Sequence, residues 1–250
     1  MQQYFCSSPV QVEQNIRERF QPRKKDPFYI PLSDLRSCID IIKTSSCLEI
    51  LDFGALNSPY SALFPNSIVK RADIVLANSI DYLIGTNSRI SVPNSSFDLL
   101  LSTQVAEHVE NPTAYFNEAF RVLRPGGTIF LSTHGIWEDH AAPNDFQRWT
   151  AEGLERDLAK AGFTDLRLFK LTTNERFFIY HALGCLLRGN KLRDSLISKI
   201  FRRCRRILGL AIGPAVNYLA DMFFSDCKVV PGPNFHEHIF YAGLVAIGKK

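Results

Sequence analysis

NSSFDLLLSTQVAEHVENPTAYFNEAFRVLRPGGTIFLST, residues 94–133, is the stretch on which the fold turns. Turn residues Pro93 to Ser96 lead into Phe97 to Ser102, an apolar run too short for a helix and read as a strand buried on both faces. From Thr113 to Leu123 the period changes: Tyr115, Phe116, Ala119, Phe120 and Leu123 share one helical face. Arg124-Pro125-Gly126-Gly127 then breaks the chain, and Thr128 to Thr133 is a second apolar run. Strand, helix, strand in this order calls for a parallel pair joined by a right-handed crossover.

The same alternation extends outward. Before the stretch, Leu48 to Asp52, Ser67 to Ile74 and Ile80 to Ile84 read as strands, with a short helix from Tyr60 to Phe64. After it, Thr150 caps a helix that runs to Ala161 and closes at Gly162. Phe163 to Leu171 and Tyr241 to Ile247 are the last strands. The expectation is an α/β fold with a seven-stranded, mostly parallel sheet and flanking helices. Residues 1–46 form a helical lead-in, in which one helix covers Val10 to Phe20 and another is capped by Ser33. Residues 47–171 are the core, 172–240 a helical insertion and 241–250 the final strand.

Composition narrows the function. At 250 residues with 46% apolar side chains, the chain can bury a sizeable core. A net charge of +4 is too small to suggest a nucleic-acid binder, and no basic motif interleaved with aromatics supports one. The six cysteines contain no CxxC pair, which argues against a zinc site or a disulfide framework; buried thiols in a reducing cytosol are expected. The N-terminus has no signal-peptide pattern, and no stretch of about 20 residues is apolar enough to span a membrane. A cytoplasmic protein is the resulting expectation.

In a parallel sheet of this kind, ligands bind beyond the carboxyl ends of the strands where strand order reverses. Asp52-Phe53-Gly54 follows the first strand, and Gly54 permits a sharp turn and close backbone approach. Asp73 ends the second strand, 19 residues after Gly54, a spacing that suits a carboxylate on ribose hydroxyls.

The set Phe97-Asp98, Glu107-His108 and Leu123-Arg124-Pro125-Gly126-Gly127, in this order and spacing, resembles the class I S-adenosyl-L-methionine (SAM)-dependent methyltransferases of the type 11 kind, which have a Rossmann-like domain. The resemblance runs from about Leu48 to Phe169. It implies SAM as cofactor, with Asp52 and Gly54 at its methionine end, Asp73 on the ribose, Gln104 beside the sulfonium, Val105 as a further cofactor contact, and Glu107 and His108 shaping the pocket. Thr86 and Asn87 stand where the family has an acid for the adenine. The chain also departs from the family at Leu56 and Ser58, where further glycines are usual. This leaves open a silent SAM-fold protein that serves as a partner or scaffold.

For chemistry, His134 directly follows the fifth strand and is the candidate general base, with His140 in the same loop. Trp137, His140, Arg148 and Trp149 are candidate contacts for a polar acceptor, while the bland reading of Trp149 is packing. The loop THGIWEDHAAPNDFQRWT is similar to that of family members encoded with glycan-building enzymes, which implies a small-molecule, saccharide or lipid-linked saccharide acceptor by analogy. In the insertion, Leu196, Ile200, Cys204, Ile207 and Ala211 fall on one helical face beside Lys199, Arg202, Arg203, Arg205 and Arg206. Two readings stay open for 188–224: a lid or dimer element packed on protein, or an interfacial helix on an anionic membrane.

Overall fold

The computed structural model describes residues 9–55, 58–75, 79–140, 144–187, 196–232 and 239–250. Among these residues eight strands form one sheet: β1 (Glu49–Phe53), β2 (Ile68–Asp73), β3 (Tyr82–Leu83), β4 (Phe97–Thr103), β5 (Leu123–His134), β6 (Thr164–Thr173), β7 (Val229–Pro231) and β8 (Tyr241–Lys249). Their order is β3-β2-β1-β4-β5-β8-β6-β7. The first five run parallel, and β8 inserts antiparallel between β5 and β6. The expected sheet had seven strands; the eighth is β7, a three-residue edge strand on β6 within the insertion. It was invisible as a pattern because three residues are too few to show a period of two.

Among the described residues six α-helices accompany the sheet: α1 (Pro9–Phe20), α2 (Tyr29–Ile39), α3 (Pro112–Val122), α4 (Ala151–Lys160), α5 (Asn174–Leu187) and α6 (Leu196–Phe223). Helix α2 starts a turn earlier than Ser33. Pro31 sits in its first turn, where the missing N–H is no loss, and the Ser33 hydroxyl donates to the Ile30 carbonyl instead of capping. Asn111 caps α3 and Thr150 caps α4, each accepting from a backbone N–H at 3.1 Å. Gly162 closes α4's end at φ +105°.

The pleat of the central strands sorts their side chains into two cores. Leu51, Phe53 and Leu100 meet Phe116 and Ala119 of α3 and Leu154 and Leu158 of α4 on one face. Ile50, Leu99, Leu101 and Phe130 meet Leu35, Cys38 and Ile39 of α2 on the other. Both faces are covered, as a parallel sheet requires. The chain leaves β1 toward β2 on one side and returns to β4 on the other, so the ends of β1 and β4 bound a crevice at the reversal point.

Helices α5 and α6 pack on each other and on α2 through a buried ionic knot. Arg176, fully buried on α5, donates to both oxygens of buried Asp34 at 2.5 and 3.0 Å and to Asp221 of α6 at 3.0 Å. Asp221 also accepts from Lys24 and from Tyr29. Of the five cysteines described, Cys38 and Cys227 are buried and Cys47, Cys185 and Cys204 exposed, so most thiols here are not core residues.

Candidate active site

A cleft of about 830 Å³ lies beyond the carboxyl ends of the parallel strands. Its wall takes in Gly54, Asp73, Thr86, Asn87, Gln104, Val105, His108, His134, Trp137 and His140. The fold thus gathers into one crevice ten of the positions singled out in the sequence.

At one end, strand tips and turns make the wall. Gly54 has φ +86°, and a Cβ there would lie 2.5 Å from Val105 Cγ1. The glycine therefore lets the β1 turn press against the residue that follows β4. Asp52 is buried behind this turn, accepts from the Ser58 hydroxyl at 2.6 Å, and is pushed up to about 7 by burial. Ser58 itself has φ +46°. It keeps the left-handed backbone that a glycine would adopt and adds a hydroxyl that holds Asp52. Leu56, the other departure from the glycine pattern, lies outside the described residues. Asp73 ends β2 at the cleft wall, with Oδ1 accepting from the Val75 N–H at 3.3 Å. Thr86 and Asn87 lie in a 3-10 turn in which Asn87 has φ 53°. Gln104, at φ 57°, is anchored by its N–H to Ser132, while its buried side-chain Oε1 has no hydrogen-bond partner among the described residues.

The other end is assembled from distant segments. Glu107 is fully buried; its Oε2 accepts from Thr133 Oγ1 at 2.9 Å and its Oε1 lies 3.2 Å from His134 Nε2. Burial pushes Glu107 up to about 7. Burial, together with the nearby His140 and Arg148, drives His134 down to about 2. His134 stacks on Trp137 with centroids 4.4 Å apart, and Trp137 stacks on Tyr180 of α5 at 5.1 Å. His140 meets the rings of His108 and His134 edge-on, at 4.9 and 5.0 Å. Glu107, His134 and His140 each offer an atom within 4.8 Å of the others, a two-histidine, one-carboxylate set of the kind that can hold a divalent metal.

Glu107 is the residue that sequence reasoning missed. It was assigned to pocket shape, yet it touches the candidate base. Its position on a 3-10 turn (Ala106–His108) directly after β4 was the available signal.

Three candidates do not line the cleft: Asp52, expected at the methionine end of SAM but buried behind the Gly54 turn, and Trp149 and Arg148 of the loop after β5. Trp149 is buried against Phe116 and donates from Nε1 to Asp157 at 3.2 Å, so it packs the core under α4. Arg148 forms a bidentate pair with Asp145, both bonds 2.6 Å, and donates to the Glu138 carbonyl at 3.0 Å. It ties the loop after β5 together. The pair also holds the Asp145 carboxyl well below the usual range.

Comparison with known proteins agrees with this fold. Residues 61–131 match the model of a family described as "Methyltransferase domain". Over these residues the chain is similar to methyltransferase domains. The matched stretch runs from just after the Gly54 turn to β5, so it contains Asp73, Gln104 and Glu107. Over 54 residues the chain is 37% identical to a ubiquinone biosynthesis O-methyltransferase of Parvibaculum lavamentivorans, an alignment spanning 22% of this chain and 21% of that protein. The match therefore covers about a fifth of that relative. A SAM-dependent methyltransferase of Thermotoga maritima, described as a possible histamine N-methyltransferase, superposes with a TM-score of 0.54 at 15% identity, covering 94% of this chain and 99% of that one. Phosphoethanolamine N-methyltransferase 2 of Haemonchus contortus, in complex with S-adenosyl-L-methionine, superposes with a TM-score of 0.52 at 14% identity, covering 94% and 59%. At these identities the two structures speak for the fold.

Proposed function

We propose that the protein transfers a methyl group from SAM to a hydroxyl of a small-molecule acceptor, with a saccharide or lipid-linked saccharide as the favoured class. The observation that carries the proposal is that His134, paired behind the wall with buried Glu107, lines the same cleft as Gly54 and Asp73.

The residues at the first end fit SAM. Gly54 lets the β1 turn close on Val105 at the cleft wall, and Gln104, which also lines the cleft, has a buried Oε1 with no hydrogen-bond partner among the described residues. Asp73 would hold the ribose, with Thr86 and Asn87 toward the adenine and Gly54, Val105 and His108 lining the remainder. SAM supplies an activated methyl group when bound; the chain supplies alignment and a destination for the acceptor's proton.

In this reading His134, neutral at pH 7, receives that proton, and the ionised form of Glu107, with Oε1 3.2 Å from Nε2, must offset the burial that holds the free imidazole down to about 2. Trp137 and His140 form the polar and aromatic wall against the acceptor. Arg148 acts one step back, by holding the loop.

The decisive experiment is incubation with methyl-labelled SAM and fractionated glycan and lipid extracts, alongside calorimetric titration with SAM. Label transfer to a saccharide-containing fraction is expected. SAM binding without transfer to any fraction rejects the acceptor class, and absence of both supports the silent-fold reading. A metal-assisted reaction at Glu107, His134 and His140 is the second reading, favoured by their mutual distance. Chelator treatment separates the two, because the proton-transfer reading expects unchanged turnover.

A further inference from the structure

We propose that the outer face of α6 is a docking surface for an anionic phospholipid bilayer. The inference goes beyond methyl transfer and does not depend on it.

The apolar stripe expected from the sequence exists, but it faces away from the protein. Ile200, Cys204, Ile207, Leu208, Tyr218 and Met222 are all exposed. At 100° per residue they fall within a sector of about 100° along α6. Ile207 is 58% and Tyr218 56% accessible. The opposite side of the helix, with Gly209, Gly213, Asn217 and Ala220, is the buried one. There Gly209 lets α6 approach Leu186 and Leu187 so closely that a Cβ would lie 3.0–3.2 Å from their side chains. Small residues thus face the protein and large apolar ones face outward, a continuous patch of a kind that soluble monomers rarely leave uncovered.

Charge selects the occupant. Lys199, Arg202, Arg203, Arg205 and Arg206 lie in the first part of the helix, and no acid occurs between residues 196 and 220. On the helical wheel Arg203 and Arg206 fall on one flank of the stripe and Arg205 on the other. The one acid of α6, Asp221, is engaged with Lys24, Tyr29, Arg176 and Lys228. A second copy would bring the same basic face without the negative charge to balance it. An anionic bilayer supplies that charge, and arginines flanking an apolar stripe extend their guanidinium groups toward phosphates while the stripe enters the acyl boundary. Among the described residues no helix is long and apolar enough to cross a membrane, so the contact is along the surface. Ala220 of α6 belongs to the small cluster with Tyr29 and Tyr180 against which Trp137 of the cleft wall packs, so a docked α6 holds the cleft close to the bilayer.

The test is co-sedimentation of the full chain with phosphatidylcholine vesicles, with and without roughly a third phosphatidylglycerol. The protein is expected to pellet only with the anionic vesicles and to be released as salt rises. Arg203→Glu with Arg206→Glu should weaken the partition by roughly fivefold or more per charge. Ile207→Asp with Leu208→Asp should abolish it. Both pairs should leave the thermal midpoint and SAM titration as in the parent, since they alter the outward side of the helix; this control separates loss of docking from loss of fold. Absence of pelleting at low salt overturns the proposal. So does a dimer that ignores vesicles and dissociates in the Ile207→Asp/Leu208→Asp variant, which would give the face to a second copy. SAM binding in the same samples reports on the methyltransferase reading independently.

Discussion

The two ends of the cleft are built differently. The end formed by β1, β2 and the turn at Thr86–Ser88 is a backbone construction: Gly54, Ser58 and Asn87 take left-handed φ values, and the side chains that matter sit at the strand tips themselves. The end around His134 is a side-chain construction, in which Glu107, His134, His140 and Tyr180 come from four separate segments and hold one another by contact. The difference teaches where each end is vulnerable. Turn geometry fails when a side chain is added, and the contact cluster fails when one is removed.

The largest expected effect lies at the second end. His134→Ala should lower turnover by about 10²–10⁴-fold while leaving the SAM dissociation constant unchanged. Single-turnover kinetics beside calorimetry checks this, and a parallel loss of SAM affinity would break the separation of the two ends. Next is Gly54→Ala, where a Cβ must fit 2.5 Å from Val105 at φ +86°. A cost of about 1–3 kcal/mol is expected, read as weaker SAM binding and a lower melting temperature. The companion Gly54→Ala/Val105→Ala variant should recover part of it, because it removes the clash and leaves the strain.

The two ends should also answer pH with opposite sign. Asp52 is raised in the folded state, so its native form retains a proton that the unfolded chain has released, and its burial costs stability as pH rises from about 4 to 7. Asp52→Asn should therefore gain stability relative to the parent across that window, with a slope of at most about 1.4 kcal/mol per pH unit. His134 is lowered, so the parent loses stability as pH falls below its unfolded value near 6.5. His134→Gln should then gain relative to the parent toward pH 5. Denaturant titrations at pH 5, 6.5 and 8 sharpen the comparison, and slopes of the same sign for both variants would refute it. The smallest effect is expected for Ser58→Ala, about 1 kcal/mol from the lost bond to Asp52, with the Asp52 carboxyl rising further.

Legibility followed the same divide. Gly54, Asp73, Gln104 and the strands that carry them were readable because strand runs, turn glycines and residues just past a strand end are neighbours in the chain. Glu107 was not, since its partner His134 lies on the next parallel strand and only sheet pairing of β4 with β5 brings them together. Trp149 and Arg148 look like a ligand wall in the loop, yet their environment was set by α3, α4 and Asp145. In α6 the period of 3.6 identified an apolar stripe, but periodicity carries no sign. The glycine at 209 marks the side that packs.

Local pattern alone determined the α/β alternation, the crossovers and the glycine turn, because these depend on backbone sterics and on the burial of short apolar runs. Tertiary structure alone decided which carboxylate meets His134, which loop residues enter the cleft and which side of α6 faces solvent. Those outcomes depend on distances between segments far apart in the chain, and such distances are set by packing, not by sequence order.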